Sequence, residues 1–205
     1  MRSPYQQLAQ PVVFELVEKR SRFICHLFPV TSRALAMAHL QELVQLFPDA
    51  RHHCWAYLVG DPLQPVTQAY SDDGEPAGTA GKPILNVLAH RGAGDSVAIV
   101  VRYFGGVKLG AGGLVRAYSA SVSQALDMAT FVTQVPTSEC QIDIAFADEA
   151  TVRHVLAEIG AEVFGSDYST GVILRVQVAD DKKMACAKQL SDITRGRAAI
   201  SWLED

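Results

Sequence analysis

No two cysteines in this chain of 205 residues are spaced as C-x-x-C. The four present, Cys25, Cys54, Cys140 and Cys186, are scattered. That excludes a zinc framework and reads as reduced thiols with no disulfide partner. No run approaches the roughly 20 apolar residues that a membrane span needs. Met1 to Gln10 lack the apolar core of a secretory signal. A soluble, cytoplasmic protein with no membrane contact is the expectation. A large excess of one charge sign is lacking as well, with 18 Lys and Arg against 22 Asp and Glu. The net charge of −4 excludes nucleic-acid binding by bulk charge, but not through a local basic patch. What remains is an ordinary globular composition, 49% hydrophobic and 20% charged, long enough for one large or two small domains.

The chain is organised around residues 97–129. Val97-Ala98-Ile99-Val100-Val101 is a β-branched run that reads as a buried strand. Five glycines follow within nine residues: Gly105, Gly106, Gly110, Gly112 and Gly113. From Leu114, apolar or small residues recur every three and four positions through Ala117, Tyr118, Val122, Ala125, Leu126 and Ala129, a helical spacing. So many glycines carry an entropic cost, and two needs can account for them. One is a tight crossover. The other is close approach of bare backbone to an anion at a helix start, with Lys108 adding charge. Two familiar motifs fail here. Gly110-x-Gly112 reaches Val115, so the third glycine of a dinucleotide fingerprint is missing. Gly78-Thr79-Ala80-Gly81-Lys82-Pro83 has Pro76 and Pro83 where a Walker loop needs glycine and a hydroxyl.

In chain order, 11–17 and 23–30 read as strands joined by a charged corner. A helix capped by Thr31 or Ser32 follows, with a stripe of Leu35, Leu40, Leu43, Val44 and Phe47, stopped by Pro48. Residues 55–59 and 68–70 read as strands. Ile84, Leu85, Val87 and Leu88 fit a helix ending near Gly92. The pattern restarts near Val135, which sets domains at 1–134 and 135–205. The second domain reads strand (138–146), helix capped by Asp148, two strands (162–168 and 172–178), helix opened by Asp180 or Asp181, and strand (198–203). That order, β-α-β-β-α-β, is the ferredoxin-like split motif. The predicted class is α+β in two domains.

Several clusters carry candidate chemistry. His52 and His53 beside Cys54 suggest a metal, but on a strand the two histidines face opposite ways, and His52 with Cys54 falls short of a zinc site. No metal and no cofactor is therefore expected. Asp72, Asp73 and Glu75 crowd three carboxylates into one turn, as magnesium ligands or an acid–base pair, or as turn formers bonding their own backbone. Arg102 and Lys108 flank the glycine loop, Arg116 follows in its helix, and Lys82, Arg51 and His52 are further candidates. Tyr103, Phe104 and Trp55 offer stacking faces or serve as core. Basic groups and aromatics around exposed backbone suit single-stranded RNA or a phosphate ester. The candidate anion contacts are therefore Arg102, Tyr103, Gly105, Gly106, Lys108, Gly110, Gly112, Gly113, Arg116, Lys82, Arg51 and His52.

Four stretches together resemble the IMPACT family: Lys19-Arg20-Ser21-Arg22-Phe23-Ile24, Ala50-Arg51-His52-His53-Cys54, the segment from Ser71 to Pro83, and Val100 through Val115. With its C-terminal module the chain resembles the family's bacterial YigZ branch. The resemblance covers nearly the whole chain. It implies a first domain with the fold of the second domain of a small-subunit ribosomal protein, followed by a ferredoxin-like domain. The pair resembles domains IV and V of elongation factor G. The first fold also appears in small-molecule kinases that bind phosphate at a glycine-rich loop. Eukaryotic members regulate translation by competing for the activator of a starvation-responsive kinase, and carry an extra N-terminal interaction domain that has no counterpart in these residues. The resemblance transfers no catalytic residues. It implies a regulatory binding protein contacting RNA, the ribosome or a translation factor. The alternative is an enzyme on a small phosphorylated substrate, and a third option uses the C-terminal sheet as a docking face. Oligomeric state is open.

Overall fold

The computed structural model describes residues 4–203. The N-terminal stretch read above for a signal begins in residues 1–3, which lie outside the described residues, as do 204–205. The chain divides into two compact units, one spanning Tyr5–Gln134 and one built from Val135 onward.

The first unit opens with β1 (Tyr5–Leu8), β2 (Val12–Glu18) and β3 (Ser21–Pro29). It continues through α1 (Arg33–Leu46), β4 (His52–Val59), β5 (Thr67–Ser71) and α2 (Gly81–His90). It closes with β6 (Ala93–Gly94), β7 (Ser96–Tyr103), α3 (Ala111–Asp127) and β8 (Phe131–Gln134). Five strands form one antiparallel sheet in the order β2-β3-β7-β4-β5. Helices cover both faces, which is why central β7 is apolar without alternation. Ala98 and Val100 pack towards α2 and α3, while Val97 and Ile99 pack towards α1. The tight β2–β3 turn puts Lys19 and Arg20 at positive φ, a conformation that side chains with a Cβ rarely adopt.

Ser32 caps α1, its Oγ accepting from the Leu35 amide at 3.3 Å. The buried stripe of α1 differs from the expected one. Ala36 and Leu43 are buried, with Met37, Leu40 and Phe47 beside them, while Leu35 and Val44 face outward. Helix α3 begins three residues ahead of the expected Leu114. Glycines hid that first turn, because their low helix propensity reads as loop. The sheet of β6, β1 and β8 was also not expected, since strands of two to four residues show no usable alternation.

The second unit is β9 (Thr137–Ile144), α4 (Glu149–Glu158), β10 (Glu162–Tyr168), β11 (Val172–Ala179), α5 (Lys183–Thr194) and β12 (Ala199–Trp202). The strand order β10-β11-β9-β12, all antiparallel, is that of a ferredoxin-like sheet. Every second residue of β9 is buried, which places Cys140, Ile142 and Ile144 in a core with Val152, Leu156, Cys186 and Leu190. Asp148 does not cap α4. Its carboxylate instead accepts from the Arg197 guanidinium at 2.8 Å. The open face of this sheet carries Glu139, Gln141, Asp143 and Arg175, with Ile173 across from Asp143. All four cysteines are buried and free, and burial pushes the Cys140 thiol up to about 11.

Candidate functional site

Strand alternation and register build the site. On β7 the residue two beyond Val100 on the same face is Arg102, where β7 runs out and α3 begins. The ladders set Phe23 of β3 and His52 of β4 directly beside Arg102, so all three stand abreast on the face that α3 covers. Arg102 is 6% exposed. A buried guanidinium needs a partner, because its charge has left water. Nη1 pairs with Glu75 Oε1, which also accepts from the Tyr118 hydroxyl at 2.8 Å. Behind Tyr118, the Cys54 sulfur lies 3.2 Å from the tyrosine oxygen and 3.0 Å from the Asp72 carbonyl oxygen. The guanidinium also sits over the Phe23 and Phe104 rings, at 5.3 and 5.8 Å from their centroids. Burial, first of all, pushes the Tyr118 hydroxyl and the Cys54 thiol far above their ordinary values, so both stay protonated donors.

Each carboxylate of the 72–75 turn has its own structural bond. Asp72 accepts from the amides of Gly78, Ala80 and Gly81, at 2.8, 3.0 and 2.8 Å, and so holds the start of α2. Asp73 accepts from the His53 amide at 2.6 Å, while its carbonyl oxygen lies 2.7 Å from His52 Nδ1. Glu75 holds Arg102. Partial burial opposes the Asp72 charge, but its three amide donors outweigh that and leave the carboxyl below its ordinary 3.8. A depressed pKa gives stability that is present above the ordinary value and lost as pH falls through the folded one. Asp72→Asn should therefore cost roughly 1–2 kcal/mol at neutral pH. The loss should disappear in urea titrations run at the acid end, where the native carboxyl is itself protonated.

In front of Arg102 opens a cleft of about 300 Å³. Arg51, His52, Glu75, Arg102, Lys108 and Gly110 line it, with Pro76, Phe104, Leu109, Ala111 and Leu114 as its apolar parts. Gly110 precedes α3 at φ 75, and the first amide returned into the helix is that of Leu114, which donates to the Gly110 carbonyl at 2.9 Å. The amides of Ala111, Gly112 and Gly113 thus have no acceptor within the helix. Ala111 and Gly112 are exposed.

Not every predicted residue reaches this cleft. Gly113 and Arg116 line a hollow on the far side of α3 with Lys19 and Glu18. Lys82 lines a groove between α2 and α3 with His90 and Arg91. Tyr103 lies beneath the Arg22 guanidinium, 5.5 Å from its centroid. The Gly105 amide is spent on Ser21 Oγ at 3.1 Å, and a Cβ there would sit 2.0 Å from the Arg20 carbonyl carbon, so this glycine serves packing. Gly106, at φ 83, is open to solvent. Trp55 packs on the α1 face, away from the cleft. Phe104 was weighed above as core or stacking face, and it is 53% exposed. Tyr118 and Cys54 were missed as members of the network, because a helical stripe and a buried strand position look the same for packing and for hydrogen bonding. Among the described residues, no group of three or more His, Cys, Asp or Glu is placed to hold a metal. No helix among them is long and apolar enough to cross a membrane.

Comparison with known proteins bears on this architecture. Residues 19–126 match the Impact N-terminal domain, and 142–197 match a domain of unknown function, DUF1949. The chain belongs to the IMPACT family. The IMPACT family member YigZ of Escherichia coli K12 is 38% identical over 197 residues, which is 96% of this chain and 97% of that protein. An IMPACT family member of Haemophilus influenzae is 37% identical, over 94% of each chain. A crystal structure described only as a hypothetical protein superposes with a TM-score of 0.71 at 35% identity, covering both chains fully. Every residue lining the cleft, from Arg51 to Leu114, falls within the Impact domain match.

Proposed function

We propose that this IMPACT member is a translation-related binding protein whose first unit grips the backbone of RNA, free or ribosomal, at the cleft ahead of α3. One observation carries the reading. Unspent amides open α3 beside Lys108, Arg51 and His52, while the nearby carboxylates of Asp72, Asp73 and Glu75 are all engaged internally. The cleft therefore presents donors and positive charge; Glu75, the acid that lines it, is balanced by Arg102, and Asp72 and Asp73 are not among its lining residues. The overall charge of −4 does not conflict with this, since the first unit carries ten acidic and ten basic residues, and three of its cations, Arg51, Arg102 and Lys108, line the cleft.

Lys108→Glu should weaken co-sedimentation with single-stranded RNA about tenfold and flatten the log–log salt dependence by about 0.7 to 1. Lys108 is exposed and has no ion-pair partner among the described residues, so folding should be untouched. Undiminished binding in this variant would remove the loop as the contact surface.

A second reading, an enzyme on a small phosphorylated substrate, is favoured by one fact. Glu75 and the backbone of Gly110 and Ala111 share a single cleft of about 300 Å³, the size of a small-ligand site. That reading requires Glu75 to leave Arg102 and Tyr118 before it can take a proton.

A further inference from the structure

The cleft holds one feature that a simple backbone groove does not need. Arg102 has a side chain only 7% exposed, yet its guanidinium is only partly used. Nη1 goes to Glu75, Nε is sealed with no acceptor, and among the described residues no acceptor bonds Nη2. A buried donor left without an acceptor is costly, and such groups are rare in native proteins. The guanidinium lines the same cleft as Gly110 and Ala111, where α3 opens, and its Nη2, not the sealed Nε, is the donor a ligand can reach. The two observations are independent, one from the sheet and one from the helix, and both call for an anion at the same place.

Size and charge narrow the anion. An internal phosphodiester has two free oxygens and a sugar on either side, so seating it in a cleft of about 300 Å³ brings both flanking sugars with it. A phosphate monoester has three free oxygens, one tether and nearly two charges at neutral pH. The Arg102 charge is already balanced by Glu75. Among the described residues neither Arg51 nor Lys108 has an ion-pair partner, and α3 adds roughly half a charge at its start. The surplus is slightly above two positives, which suits a dianion. Phe104, half exposed at the same cleft, offers an apolar face of the kind on which bases stack.

We propose that the cleft receives a 5′-phosphate monoester, with the phosphate on the α3 amides and Arg102 and the attached base against Phe104. This rests on the binding reading above and sharpens it from RNA backbone to RNA end. The same chemistry is carried by a free nucleoside monophosphate, so the test separates the two sources.

The test uses the full chain, titrated with adenosine, adenosine 5′-monophosphate, inorganic phosphate, and an oligoadenylate with either a 5′-phosphate or a 5′-hydroxyl. The readouts are affinity and the amide NMR shift of Ala111, the α3 residue that lines the cleft. The phosphorylated oligomer should bind about tenfold tighter than the hydroxyl one and move that amide, while adenosine leaves it in place. Ala111→Glu should abolish the preference. Ala111 is exposed at the cleft, and an acid in the first turn suits the helix, so the variant folds. Phe104→Ala should weaken the nucleotide and leave inorganic phosphate unchanged. Equal affinity for the two oligomers, or a preference that survives Ala111→Glu, overturns the proposal while RNA binding stands. Nucleotide binding at Ala111 with no oligomer binding keeps the monoester site and removes the RNA reading. No binding of any probe removes both.

Discussion

Gly105→Ala should cost about 4 kcal/mol or more, read as a collapse of the urea midpoint for the 5–134 unit. A Cβ at this position would lie 2.0 Å from the Arg20 carbonyl carbon and 2.4 Å from the Ser21 nitrogen. Those are backbone atoms of the β2–β3 turn, and that turn is already held with Lys19 and Arg20 at positive φ. It cannot retreat by rotating a side chain. The loop must lift instead, and the hydrogen bond from the Gly105 amide to Ser21 goes with it. Gly106→Ala is the control. Its φ of 83 makes alanine strained, but a Cβ there meets nothing within 4 Å. It should cost about 1 kcal/mol, the ordinary charge for a left-handed residue. If the two variants cost the same, the tight seating of the loop on the hairpin is not real.

The second large effect belongs to the buried ion pair. Glu75→Ala should destabilise by about 3–5 kcal/mol, because it leaves a desolvated guanidinium and an orphaned tyrosine hydroxyl. The side chains of Arg102 and Glu75 are 7% and 4% exposed, so solvent screens the pair poorly. Adding Arg102→Met to Glu75→Ala should recover part of the loss, since the unpaired buried charge is gone while the cavity at residue 75 and the Tyr118 hydroxyl remain. A double-mutant cycle in urea measures this coupling directly. A loss below about 1 kcal/mol in the single variant would mean that the pair is wet and that Arg102 is an ordinary surface charge.

Where local pattern and tertiary need agreed, the sequence was readable. Strand β9 alternates buried and exposed residues without a break, and the second unit follows the expected order throughout. The first unit was readable where strands were long, as in β7. It was not readable where backbone geometry, and not side-chain pattern, set the structure. The first turn of α3 is Ala111-Gly112-Gly113, which propensity alone assigns to loop. The acidic turn showed its three carboxylates but not their division of labour, because that depends on what approaches from elsewhere in the chain. Asp72 meets amides six to nine residues ahead of it, and Glu75 meets an arginine 27 residues away. Arg102 was legible as a charge directly after a buried strand. Its unsatisfied donors were not, since no sequence shows which hydrogen bonds go unmade.

The small sheet of β6, β1 and β8 carries one more consequence. Tyr5 and Gln134, the two ends of the first unit, are direct partners across an antiparallel ladder. Their Cα atoms are therefore about 5 Å apart. The chain enters and leaves this unit at a single gate, so the whole unit is a portable cassette. It can be grafted into a loop of a foreign host, or have its ends spliced together, without untying any strand of the five-stranded sheet.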